Sequence, residues 1–209
     1  MRDVTPATPE SPTETKGAQT RRAILDAAIE RFGRDGYRVT SVADIARDAA
    51  VGGTLAYAYF PNKEALFLAA VDEDAAAVIR DGLAVMGETD RPDWQQSLIF
   101  TLLAAVERHP LARRLLAGLE PEVTERVLEI PALAELRKAI AERLRTEQAA
   151  GTVRPDIDAA VIANGVVAIV LSLLMSVVQV GSGAAATYAD DVIAVFAAAL
   201  DPVTRSPGG

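Results

Sequence analysis

Residues 40–63 read TSVADIARDAAVGGTLAYAYFPNK, a stretch compatible with few folds. Ser41 followed by Asp44 has the spacing of a capping box, with Asp in place of the usual Glu or Gln, and starts a helix. Val42, Ile45, Ala46 and Ala49 then fall on one face at helical spacing. Ala49 and Ala50 are small enough to let a second helix cross closely, and Val51 plugs the corner. Gly52-Gly53 is expected to end the first helix and free the backbone to turn. Residues 54–60 are too few to stand as a helix alone, so neighbouring elements must hold them. The pattern predicts a helix-turn-helix, a motif whose second helix enters a DNA major groove.

The stretch resembles the N-terminal DNA-binding domain of the tetracycline-repressor (TetR) family of transcriptional regulators. The matching segments are RRAILDAAIERFGRDGY at 21–37, TSVADIA at 40–46 and AAVGGTLAYAYFPNKEALF at 49–67. Within them Thr40-Ser41, Ile45-Ala46, Val51, Tyr57, Tyr59, Phe60 and Lys63 fit the family pattern. The resemblance is specific over about a quarter of the chain and architectural beyond it. It implies an all-α fold: an N-terminal three-helix helix-turn-helix domain, then a C-terminal helical ligand-binding and dimerisation domain, about nine helices together. The expected divisions are a disordered tail at 1–18, the DNA-binding domain at 19–64, the ligand and dimer domain at 65–201, and a frayed tail at 202–209.

Nine residues are the candidate DNA contacts. Thr40 and Ser41 stand where hydroxyls and open backbone N–H groups can meet a phosphate. Tyr57 and Tyr59 resemble the family's phosphate-contacting aromatic pair, and Lys63 follows as a phosphate-gripping cation. Gly53, Thr54, Leu55 and Ala58 hold the positions that in the family usually face base edges. None of these four can make the bidentate contacts that discriminate one base by about 1–3 kcal/mol. Specificity is therefore expected from DNA shape, or from Arg38 or Arg47 outside the recognition helix.

A net charge of −8 argues against nucleic acid until it is divided by segment. Residues 16–63 carry eight basic and five acidic side chains, whereas residues 64–209 carry 12 and 21. A positive head on an acidic body suits attraction to phosphate at one end only. The absence of cysteine excludes disulfides and thiolate metal sites and suits a cytoplasmic protein.

Residues 1–18 hold three prolines and many Thr, Ser and Glu, and lack the apolar run of a signal peptide. A first helix is predicted at 20–35, with Ile24, Leu25, Ala28 and Phe32 on one stripe and Gly36 as its stop. A long fourth helix starts after Asn62 as N-cap and runs past Leu66, Phe67, Ala70 and Val71 towards Val78. In the family this helix carries ligand state to the DNA-binding end, and the resemblance implies the same here. After a break at 87–92, helices follow at 94–109, at 111–118 with Arg113-Arg114 outward, at 122–129, and from Pro131 to a stop at Gly151.

Residues 161–180 carry no charge over 20 positions, enough at about 1.5 Å per residue to span a bilayer. Asn164, Ser172, Ser176 and Gln179, with no aromatic belt, favour a protein-buried helix and no membrane partner. Joined through Gly181-Ser182-Gly183 to a helix at 184–200, it makes a hairpin, and two hairpins make a four-helix bundle in a homodimer. Val167, Leu171, Leu174, Val192, Val195, Phe196 and Ala199 are the expected interface.

The resemblance also implies a ligand pocket among the body helices. Trp94, Phe100, His109, Asn164, Met175 and Gln179 are the polar or soft groups that could line it, around a small-molecule effector of apolar character. One histidine, no cysteine and no phosphate-binding glycine loop leave little for catalysis, so no enzyme, metal or cofactor is expected. The leading reading is a ligand-responsive repressor that binds a palindromic operator on double-stranded DNA as a homodimer. The plain recognition helix keeps a second one open, a non-sequence-specific architectural DNA binder.

Overall fold

The computed structural model describes residues 15–87, 93–121 and 129–202, with side chains throughout except at 182–187. The expectations for residues 1–14, 88–92, 122–128 and 203–209 lie outside the described residues. Every regular element among those described is an α-helix: α1 (Lys16–Asp35), α2 (Val42–Asp48), α3 (Gly53–Tyr59), α4 (Lys63–Gly87), α5 (Trp94–Arg108), α6 (Pro110–Leu116), α7 (Pro131–Ala150), α8 (Ala159–Val180) and α9 (Ser182–Leu200).

Helix α1 begins earlier than predicted, because Thr15 caps it by accepting the Ala18 N–H at 3.3 Å. The last residues assigned to a disordered tail are therefore helical. Ile24, Leu25, Ala28 and Phe32 are buried, as their spacing predicts. Phe32 meets Phe67 of α4 edge-on, 4.9 Å between centroids, and Tyr37 lies 4.8 Å from the same ring. Arg31 reaches from α1 to Asp48 with two hydrogen bonds, of 2.6 and 3.0 Å. These aromatic and ionic contacts fix α1 against both α2 and α4.

The turn between α2 and α3 is built differently from the expected double-glycine break. Ala50 carries the left-handed backbone, at φ 54°. Its N–H donates to the Arg47 carbonyl at 3.1 Å, and the Val51 N–H donates to the Ala46 carbonyl at 2.9 Å. That is a Schellman motif with alanine where glycine is usual. Gly52 is instead the N-cap of α3 in extended geometry and Gly53 its first residue, and a Cβ on either would meet nothing within 4 Å.

Helix α4 starts behind Asn62, whose Oδ1 accepts the Ala65 N–H at 2.7 Å. It packs on α1 and then on α5, α6 and α7, so it passes from head to body in one element. Helix α6 lies between α1, α4 and α8. Gly33 permits this close approach: a Cβ there would stand 2.7 Å from Pro110 Cβ. Arg114 does not face outward as expected. Its Nε donates at 2.6 Å to Glu120, a carboxylate 6% exposed that also accepts the Tyr37 N–H at 3.1 Å. At Gly36, φ 87°, a Cβ would collide with that Arg114 guanidinium. Buried residues from Ile24 to Leu200 form a single hydrophobic cluster.

Candidate nucleic-acid interface and effector cavity

Helix α3 holds itself to the rest of the head with Ala56 and with Phe60 just past its end, 0% and 4% exposed. Gly53, Thr54, Leu55, Tyr57 and Ala58 consequently face solvent, Tyr57 at 53% and Leu55 at 43% exposure. Tyr59 differs from Tyr57 by being half-buried against the core. The helix thus presents one continuous outward face of small groups and a single phenol.

Thr40 does not belong to that surface. It is 3% exposed, and its hydroxyl donates to the Gly36 carbonyl at 2.8 Å, which joins the end of α1 to the start of α2. Ser41 is exposed and caps α2: its oxygen accepts the Asp44 N–H at 3.1 Å and its hydroxyl donates to Asp44 Oδ2 at 2.6 Å. Lys63 is half-buried, with Nζ donating to the Arg38 carbonyl at 3.3 Å and lying 4.4 Å from the Tyr37 ring centroid. Its ammonium pins the 37–40 loop to the first turn of α4.

Several cations of the head are paired within it. Arg31 bonds Asp48, Arg34 bonds Asp35 and Arg47 bonds Asp44. The carboxyls respond: hydrogen bonds from Arg31, Arg34 and Ser41 hold Asp48, Asp35 and Asp44 respectively below the usual carboxylate range. Arg47 nevertheless keeps its side chain 70% exposed.

The body holds a partly open cavity of about 70 Å³. Its wall includes Ala75 and Ile79 of α4, Val106 of α5, Leu115 of α6, Leu136 of α7 and Val170 of α8. None of Trp94, Phe100, His109, Asn164, Met175 or Gln179 lines it. Phe100 and Asn164 are exposed, and Met175 is half-buried at the edge of the core. Gln179 donates its side-chain N–H to the Leu116 carbonyl at 2.8 Å. Trp94 is 2% exposed, with Nε1 lacking a partner among the described residues. The wall is made only of aliphatic side chains, which polar residues in the sequence do not mark.

Three expected interface residues, Val167, Leu171 and Leu174, belong to that wall, and Phe196 is 5% exposed inside the subunit. The large apolar residues that α8 and α9 turn outward are Val161, Ile169, Val180, Tyr188 and Val195, between 40% and 76% exposed. Of the expected set Val195 and Ala199 do face solvent, and Val192 is half-buried. The polar residues of helix α8, Asn164, Ser172, Ser176 and Gln179, all lie on its exposed side, but they are too few among Val161, Ile169 and Val180 to separate the outer face from the inner by periodicity alone. By length and composition it is the one helix among the described residues able to cross a membrane, and 33% of its apolar window is buried.

Two buried carboxylates escaped the sequence reading. Glu120 ties α6 to the head, as described above. Asp74 is 3% exposed in α4; one oxygen accepts the Ala112 N–H at 2.8 Å and the other lies 2.7 Å from His109 Nδ1. Its spacing from Phe67, Ala70 and Val71 puts it on the buried stripe, in an acidic run with Asp72 and Glu73.

Residues 24–70 match the family model described as bacterial regulatory proteins, tetR family. The regulator UidR of Escherichia coli (strain K12) is 26% identical over 161 residues, covering 70% of this chain and 76% of that protein. A solved Mesorhizobium loti protein assigned to the TetR family superposes with a TM-score of 0.72 at 24% identity, across 90% of this chain and 100% of its own. Thermus thermophilus FadR, a TetR-family repressor solved with lauroyl-CoA, does so with a TM-score of 0.64 at 22% identity, over 90% and 100%. Residues 24–70 thus carry the helix-turn-helix head of the TetR family of DNA-binding transcriptional regulators, and the all-helical body that follows shares its fold with solved members of that family.

Proposed function

We propose that the chain is a cytoplasmic repressor that binds a palindromic operator as a homodimer and leaves it when an apolar small molecule enters the body cavity. The observation that carries this reading is the outward face of α3, anchored by Ala56 and Phe60 and exposing Gly53, Thr54, Leu55, Tyr57 and Ala58. In the proposed complex Tyr57 and Ser41 meet phosphates and Leu55 and Ala58 touch thymine methyls. Lys63 has three N–H donors, so its bond to the Arg38 carbonyl is compatible with holding a phosphate too. Tyr59 supports α3 from the core side, and Thr40 leaves the contact set.

The proposed working division remains a head over residues 19–64 and a ligand and dimer body over 65–201. Dimerisation through the outward face of α8 and α9 would set two recognition helices about 34–36 Å apart, one turn of DNA. An effector acts only through its differential affinity for the DNA-fitting and non-fitting arrangements. Fluorescence anisotropy on a candidate operator tests the assignment: Tyr57→Ala should weaken binding, and Tyr59→Phe should not. Equal losses from both would remove α3 as the DNA-facing element.

A further inference from the structure

We infer that the effector of the body cavity is an uncharged hydrocarbon, or a hydrocarbon moiety that brings no hydrogen-bonding group inside. The inference rests on the proposed reading of this cavity as the effector site. All its lining residues are Ala, Val, Leu or Ile, with no aromatic ring, sulfur, hydroxyl, amide or charge among them. Such a wall recognises shape and apolar area only. A hydroxyl or carboxylate carried inside would lose its water without gaining a partner.

Two polar side chains on wall-forming helices are already engaged. Asp74, beside wall residue Ala75, has one oxygen on the Ala112 N–H and the other on His109. Gln179 closes on the Leu116 carbonyl at the far end of α6. The missing aromatic rings add a second restriction. With nothing to stack on, a saturated ring should bind about as well as an aromatic ring of equal size.

The cavity's size joins this chemistry to the response. At about 70 Å³ it is smaller than the engineered dry cavity of ~150 Å³ that accepts benzene in another protein. A ring-sized ligand held wholly inside must therefore push the walls apart. One wall is α6, whose opposite side presses Pro110 against Gly33 and carries the Arg114–Glu120–Tyr37 link to the head.

Binding of cyclohexane, benzene, cyclohexanol and cyclohexanecarboxylate to the full chain, followed through methyl NMR shifts of the wall Leu and Val residues, tests the inference. The expected result is saturable binding of cyclohexane, benzene within about threefold of it, cyclohexanol about tenfold weaker or more, and no binding of the carboxylate. Ala75→Leu should fill the space and reduce cyclohexane affinity at least about tenfold. Should that variant fold poorly, Val170→Thr keeps the volume and should still weaken cyclohexane. The inference is overturned by an alcohol or acid that binds as tightly as the hydrocarbon, by the absence of saturable cyclohexane binding, or by variants with unchanged affinity. DNA binding without any probe is measured on the same preparations. Its loss beside intact hydrocarbon binding would defeat the repressor reading and leave the cavity chemistry standing.

Discussion

His109 Nδ1 lies 2.7 Å from Oδ1 of Asp74, a carboxylate 3% exposed in the middle of α4. The other oxygen of Asp74 accepts the Ala112 N–H in the first turns of α6. The corner between α5 and α6 is thus fastened to the helix that runs from head to body. Asp74→Ala would leave a buried N–H without its acceptor and should destabilise the fold by about 2–4 kcal/mol. Asp74→Asn, which keeps an acceptor oxygen, should cost less. Denaturant midpoints at constant m-value measure both; equal losses would contradict the bonding described.

The α2–α3 turn gives the opposite sign. Ala50 sits at φ 54°, a conformation that costs an L-residue about 1–2 kcal/mol, against which glycine loses some unfolded-state entropy. Ala50→Gly should stabilise the protein by about 1 kcal/mol, raising the melting temperature by about 2–4 °C. A lower melting temperature would show that the alanine methyl has a packing role.

How far the sequence reveals this molecule depends on the kind of information each residue carries. Local signals were reliable: Ser41 and Asn62 cap helices where their spacing predicted, and Ile24, Leu25, Ala28 and Phe32 share the buried stripe. Gly52-Gly53 misled because glycine permits a turn without requiring one, and an alanine took the left-handed position. Val167 and Phe196 misled because periodicity says which residues share a face and not what covers it. Thr40 and Asp74 have polar side chains whose partners come from other elements or across a loop. Only the assembled packing displays those pairings.

Tyr57 is 53% exposed and takes no part in the buried core. Tyr57→Ala should therefore change stability by less than about 0.5 kcal/mol. DNA affinity should fall about tenfold or more, equivalent to ~1.4 kcal/mol. Thermal melting beside anisotropy separates the two effects, and a stability loss as large as the affinity loss would show the phenol to be structural.

The outward face of α8 and α9 is tested by paired substitutions. Ile169→Glu and Val195→Glu place charges on residues 40% and 60% exposed and should yield folded monomers in sedimentation velocity. Phe196→Glu buries a charge inside one subunit and should instead lower stability by about 3 kcal/mol or more. A dimer that survives both outward charges would place the interface elsewhere.

Acid should loosen the head. Asp35, Asp44 and Asp48 are held below the ordinary carboxylate value of 3.8 by hydrogen bonds in which Arg34, Ser41 and Arg31 lead. A depressed folded pKa gives stability that is fully present above the unfolded value and disappears as pH falls through the folded one. Melting temperature should thus be flat in this respect above about pH 5 and decline below about pH 4. Asp48→Asn should shrink that decline, and an unchanged acid profile would mean the Arg31–Asp48 link contributes nothing measurable.

The central claim is that α2 and α3 form a sequence-reading head used in pairs. Selection of bound fragments from random double-stranded DNA, with the full chain at near-physiological salt, tests it most directly. The predicted result is an enriched palindrome with half-site centres about 10 base pairs or a small multiple apart, and the same palindrome recovered more weakly by Tyr57→Ala. Binding without enrichment that vanishes as salt rises would contradict it and identify a protein that grips the phosphate backbone alone.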